Sequence, residues 1–365
     1  MLIIRTSPLR SPHFFRSRLL YSSSSSPSTT TTSSSLEPET LLPILWSTGN
    51  WYEQVYNFES VADGGGGAKL VPVPEHLIPS ALIEWGQQPN HLESLSSSTY
   101  VPSPLPTLRS ETLTVYPETG CAADNLSFSY KSSDVNLNDS LKFDTSLLGV
   151  ISTSVSSPPS MKHPNNRVIS LKTEFVDGRD KLTVEFNVIA KLKIIVGDIK
   201  FTSSKKVTNT ALFPNAFLSD LKATGGLDAQ TLSKIKGATT PTNNHYDVIN
   251  VKKPTLLKHL NAPYTRSFAT PSKTLTGSTP FNLIGVGKVA GVKYDDSLRL
   301  PGGIIIRLVD VSGKWGVEVV RLVVKEDDEE GGRFFKKTIV ERNFGNGGEQ
   351  LEDVKFWREE RREKN

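Results

Sequence analysis

Apolar and polar positions alternate with a period of two through much of the chain after residue 109, and each such run predicts a half-buried strand. Leu113 and Val115 begin the series, followed by Leu126, Phe128 and Tyr130, then Leu141 and Phe143. The clearest pair sets Ile169, Leu171, Thr173 and Phe175 on one face and Leu182, Val184, Phe186 and Val188 on the next, with Asp177-Gly178 between them. That dipeptide predicts a hairpin, because glycine accepts the positive φ of a tight turn. A run from Leu192 to Phe201 extends the pair into a meander. Later runs at 281–292, 304–311, 315–324 and 333–344 predict further strands, the last two joined by the charged turn 325–332.

Three stretches depart from this pattern. Between 213 and 261 the spacing predicts short helices, with Asp228 as an N-cap, Gly237 just past Ala229–Lys236, and Pro254 in the first turn of another. From 349 onward Leu351, Val354 and Trp357 recur at helical spacing among dense charges, which predicts a C-terminal helix. Residues 36–108 are rich in Pro, Gly and Ser and predict loops, anchored by Trp46, Trp51, Tyr52, Tyr56, Phe58 and Trp85 packing on a core elsewhere. The fold class is therefore mainly β: an antiparallel β-barrel or strongly curved sheet over 109–348, with a helical insertion at 213–261 and a charged helix at 349–365. The length fits one large domain with insertions or two smaller ones.

Charge adds a leader to this picture. Arg5, Arg10, Arg16 and Arg18 precede the first carboxylate, Glu37, and a Ser/Thr run from Ser22 to Ser35 follows them. This is the composition of an organelle-targeting presequence over residues 1–35. Arg18 to Ser22 resembles the sites at which mitochondrial presequences are cut, which favours the mitochondrion, with the plastid as the alternative. Setting the four arginines aside leaves 38 basic residues against 38 acidic, so the formal charge of +4 argues for no nucleic-acid partner. No stretch approaches the ~18 apolar residues of a membrane-spanning helix, which leaves a soluble chain or a peripheral membrane contact.

Candidate chemistry is sparse. Cys121 is the only cysteine, which excludes an intrachain disulfide. His76, His91, His163, His245 and His259 show no metal-ligand spacing, and no metal or cofactor is expected. Gly285-Val286-Gly287 with Gly291 lacks the strand-to-helix setting of a nucleotide loop, because the residues that follow read as strand. No nucleophile, base and orienter occur together, so an enzyme is not the expectation.

Gly49-Asn50-Trp51, set ahead of the strands, resembles the Gly-x-Trp signature of lipocalins and their calycin relatives. That resemblance implies a barrel whose tryptophan closes one end against an arginine from a late strand; Arg342 is the residue in that position here. Residues 294–300, with Gly302 and Gly303, resemble the late segment of plastid-lipid-associated proteins (fibrillins), and Leu300-Pro301-Gly302-Gly303 is similar to a calycin-like family of photosynthetic organisms. These likenesses imply an organellar binding protein for an apolar small molecule such as a lipid, isoprenoid or pigment. Leu182, Val184, Phe186 and Val188 are the expected cavity lining, or equally the filling of a dry core. Two alternatives stand beside it. One is an organellar assembly or scaffold factor that docks a protein partner. The other is a lyase or isomerase using polar groups such as Glu185 or Asp198.

Overall fold

The computed structural model describes residues 38–62, 68–72, 91–102, 105–117, 126–138, 143–157, 166–209, 218, 229–239, 265–268, 274–276, 282–283, 287–289, 292–294, 298–311, 314–327, 332–345 and 351–364. The leader, Trp85, Cys121, Asp228, Pro254, four of the five histidines singled out above and the helical insertion outside 218 and 229–239 lie beyond those residues. All described residues fall in the unit Ser35–Asn365.

The structure is mainly β, built on a large, curled antiparallel sheet. A short helix, α1 (Pro38–Ser47), leads into β1 (Gly49–Ala62), and β2 (Ala68–Pro72), β3 (Leu92–Val101), β4 (Thr107–Pro117) and β5 (Leu126–Asn136) follow. The sheet is completed by β6 (Phe143–Ser146), β7 (Val150–Ser157), β8 (Val168–Asp177), β9 (Asp180–Ile189) and β10 (Ile194–Lys206). Its order is β5-β4-β3-β1-β10-β9-β8-β7-β6, with β2 paired on β1, so the first strand in sequence lies at the centre. Helix α2 (Ala229–Thr239) precedes a second sheet of β11 (Thr265–Phe268), β12 (Thr274–Thr276), β13 (Asn282–Leu283), β16 (Leu298–Leu300), β17 (Ile304–Val311), β18 (Lys314–Asp327), β19 (Gly332–Phe344) and β20 (Leu351–Lys364). Strands β14 (Gly287–Val289) and β15 (Val292–Tyr294) pair with each other, in keeping with a strand rather than a nucleotide loop at Gly287; Gly285 and Gly291 lie outside the described residues.

The Asp-Gly hairpin forms as the alternation predicts. Asp177 pairs with Asp180 across Gly178 at φ +62°, and Ile169, Leu171, Thr173 and Phe175 stand opposite Val188, Phe186, Val184 and Leu182. This face packs against the second sheet. Ile304, Ile306, Leu308, Trp315, Val317, Val319, Val340 and Phe344 meet it in one continuous apolar core, to which Tyr56, Phe58 and Phe201 also belong. The 3₁₀ turn Pro301–Gly303 sits against this core. A Cβ on Gly302 would stand 2.8 Å from Leu182, and one on Gly303 2.1 Å from the Leu322 carbonyl oxygen. Both glycines have φ near +70°, so close approach and backbone conformation together account for the Pro-Gly-Gly sequence.

Two expectations are corrected. Residues 351–364 form strand β20 rather than a helix. Helix propensity loses here to cross-strand pairing: Lys336 stands opposite Glu360, Lys337 opposite Glu359 and Glu341 opposite Lys355 along the β19–β20 ladder. Leu351 and Val354 join the inter-sheet core, while Trp357 lies on the opposite face and donates from Nε1 to Glu359. The stretch 36–108 is likewise not a run of loops, for it contains α1 and the two strands β1 and β3 at the heart of the sheet. Trp51, Tyr52, Tyr56 and Phe58 are buried, whereas Trp46 is 41% exposed. In the insertion, α2 runs through Gly237 to Thr239, and Leu232 and Ile235 pack on Tyr52, Leu95, Leu113 and Val115.

Asp144 on β6 gives the fold a pH dependence. Burial pushes its carboxyl up to about 6, against a hydrogen bond from the Thr145 amide and helped by the nearby Asp353. A carboxyl raised in the folded state favours folding most below its unfolded pKa, and that contribution is lost as pH rises through 6. Asp144→Asn is therefore expected to gain about 2–3 kcal/mol over the native chain at pH 7.5 and almost nothing at pH 3.5. Denaturant unfolding at the two pH values measures this.

Candidate functional site

Alternation gives the curled sheet a second face, opposite the inter-sheet core. On β1 the residues facing that way are Trp51, Glu53, Val55 and Asn57, one residue out of step with the core residues Tyr56 and Phe58. The strand registers carry this face onto Ser94, Ser96 and Ser98 of β3, Thr112 and Thr114 of β4, Lys181, Thr183 and Glu185 of β9, and Lys200, Thr202 and Ser204 of β10. It lines a trough of about 650 Å³. The trough's wall is dominated by hydroxyls and charged groups, in contrast to the apolar face behind it.

One end of the trough is closed. Ile44 of α1 packs with Leu108 and Leu137 from the β4–β5 side and with Phe143 and Ile151 of β6 and β7. The two edges of the sheet thus meet around the helix. The helix end is tied down by three donors: Ser47 Oγ to the Ile44 carbonyl at 2.9 Å, Thr48 Oγ1 to the Leu45 carbonyl at 2.8 Å, and Trp51 Nε1 to the Ser47 carbonyl at 3.0 Å. These satisfy carbonyls that the last turn of a helix leaves without partners.

Trp51 is fully buried at this closed end. Its ring is covered by lysines: Lys181 Nζ lies 4.5 Å and Lys206 Nζ 5.3 Å from the ring centroid. Arg342, the expected partner, is elsewhere. It crosses between the two sheets, donating from Nε to Ser152 Oγ at 3.1 Å and from Nη2 to the Lys172 carbonyl at 2.9 Å and Thr173 Oγ1 at 2.8 Å. Burial without a facing carboxylate pushes its guanidinium down to about 9.

Apart from Lys131, the trough's charges are paired within the protein. Glu53 accepts hydrogen bonds from Ser94 Oγ at 3.1 Å, Ser96 Oγ at 2.5 Å and Ser204 Oγ at 3.3 Å, and it faces Lys181 Nζ at 3.7 Å. Lys172 Nζ lies 2.7 Å from Glu174, and Lys200 Nζ 3.5 Å from Glu185. Burial opposes ionisation of both Lys172 and Glu174, yet each prevails through its partner. Glu174 holds the Lys172 ammonium above its usual range, and Lys172 with Lys181 holds the Glu174 carboxyl below its own. Charges held this firmly are suited to binding rather than to moving a proton at neutral pH.

Leu182, Val184, Phe186 and Val188 lie in the inter-sheet core, none more than 2% exposed, and the trough is lined by their neighbours in sequence. Glu185 lies in the trough, paired to Lys200. The His91 ring lies 5.1 Å from that of Tyr56, tilted by 36°, and no group of three His, Cys, Asp or Glu side chains able to hold a metal occurs among the described residues. No helix among them is long and apolar enough to cross a membrane. Outside the trough, Leu45, Trp46, Leu147 and Leu148 form a shallow groove with Lys206. No protein-family model matches the chain, and no curated protein of similar sequence was found.

Replacing Glu53 by Met leaves Lys181 buried without its carboxylate and is expected to cost about 3–5 kcal/mol. Adding Lys181→Met should recover a substantial part of that loss. A double-mutant cycle by urea unfolding measures the coupling.

Proposed function

We propose that this protein is an organellar binding protein that holds a small molecule in the trough of a calycin-like half-barrel. The observation that carries the reading is a concave space of about 650 Å³, lined by β1 and by β3 to β10 and closed at one end by the apolar cluster around Ile44. Its size lies within the range of small-molecule sites. Sites on strands are held more rigidly than sites on loops, which suits a binding function. The same space supports a ligand with polar groups better than a wholly hydrocarbon one. Burying serine, threonine and charged side chains against hydrocarbon would strand their hydrogen-bonding capacity at a cost of about 1–3 kcal/mol for each group. The arginine-bearing, acid-free composition of residues 1–35 supports the organellar part of this reading, the mitochondrion ahead of the plastid.

One observation favours a second role as a docking factor. Leu42, Leu45, Trp46 and Leu147 are each at least 38% exposed and lie together on and beside α1. The two roles separate in one experiment. Native mass spectrometry of the protein purified from its own organelle is expected to show a non-covalent small-molecule adduct. The adduct should be lost in Thr183→Trp, whose side chain fills the trough. An adduct that survives in a folded Thr183→Trp protein, or its absence from the native chain, contradicts the reading.

A further inference from the structure

The hydrogen-bonding capacity of the trough is unevenly used, and what is left over defines a ligand. Every carboxylate facing it is already engaged: Glu53 by Lys181 and three serines, Glu174 by Lys172, and Glu185 by Lys200. Between the Glu53 cluster and the Glu185–Lys200 pair lie Thr183 and Thr202, directly opposite each other on β9 and β10. Both residues line the trough from facing strands, and neither hydroxyl is a sealed group left without a partner. A hydroxyl can both donate and accept, so these two are placed to meet the polar part of something that enters. Thr112 and Thr114 add hydroxyls from β4. Lys131 also lines the trough, but it is exposed on β5, where water satisfies its charge.

The closed end has different chemistry. Leu108, Val135, Phe143 and Ile151 line it, backed by Ile44. A ligand matching both regions has an apolar end and a body that both donates and accepts hydrogen bonds. Net charge on that body finds no open counter-ion among the buried groups, and an added ion would compete with pairs already formed.

We propose that the trough selects a neutral, hydroxyl-bearing amphiphile, which enters with its apolar end toward Ile44 and places its hydroxyls on Thr183 and Thr202. This rests on reading the trough as the binding site and specifies what it takes. The test uses probes with one shared octyl chain, each below its critical micelle concentration: octyl glucoside, octyl sulfate and octyltrimethylammonium, with glucose as the head group alone. Titration calorimetry of the native protein is expected to give octyl glucoside an affinity at least ten-fold above the other three. In Thr183→Val/Thr202→Val, a change that keeps side-chain shape, that preference should fall at least ten-fold while Tm stays close to native.

Tighter binding of either charged probe overturns the proposal, as does an unchanged preference in the double variant or the absence of binding by all probes. The binding-protein reading fails separately, when Thr183→Trp leaves the adduct from the organelle in place.

Discussion

Strand β1 runs through the middle of the curled sheet, and both of its faces are buried by different chemistry. Tyr56 and Phe58 enter an apolar core, while Glu53 on the other face is a carboxylate 8% exposed. A charge at the centre of a sheet is tolerated only when its oxygens are satisfied, and here three serines and a lysine from β3, β9 and β10 supply that need. These partners come from both sides of β1, so the position of Glu53 fixes the register of its neighbours. A slip of one residue would carry Glu53 into the apolar core and Tyr56 into the trough.

The other parts follow from this division. The second sheet covers the apolar face, with Arg342 reaching across to Ser152 and Thr173. Helix α1 stops one end of the polar face, and Trp51 joins helix to sheet through its indole N–H while its ring is covered by Lys181. Lys181 therefore serves two partners, the ring and Glu53, and links the stopper to the trough's central cluster. The result is a stiff concave wall with polar groups held in place before anything binds, which lowers the ordering cost of association.

Much of the fold was legible in the sequence, and the site was not. Strands such as β8 and β9 alternate apolar with polar residues along the sequence, so their pattern is plain. The hairpin hydrophobics Leu182, Val184, Phe186 and Val188 stood out for that reason, and they belong to the core. Strand β3, Leu-Glu-Ser-Leu-Ser-Ser-Ser-Thr-Tyr-Val, reads as a linker because its trough-facing positions are serines. Strand β1 shows no alternation because both of its faces are buried. The residues that build the trough thus resemble loop residues in isolation, and only their partners across the sheet reveal them. Lysine in place of arginine over Trp51 was equally hidden, since Lys181 is distant in sequence and lies in the half of the hairpin chosen for its hydrophobics. Strand β20 was misread because its partners in β19 decide its conformation.

The central claim is that adjacent residues of one strand face opposite environments, one an open polar trough and the other a closed apolar core. Thiol labelling of Thr183→Cys and Val184→Cys, each with Cys121 replaced by serine, tests it most directly, using a small water-soluble methanethiosulfonate. The account predicts that the cysteine at 183 reacts in the native state at a rate insensitive to low denaturant, while that at 184 reacts only as the protein unfolds. Equal protection of the two, or faster reaction at 184, would contradict it.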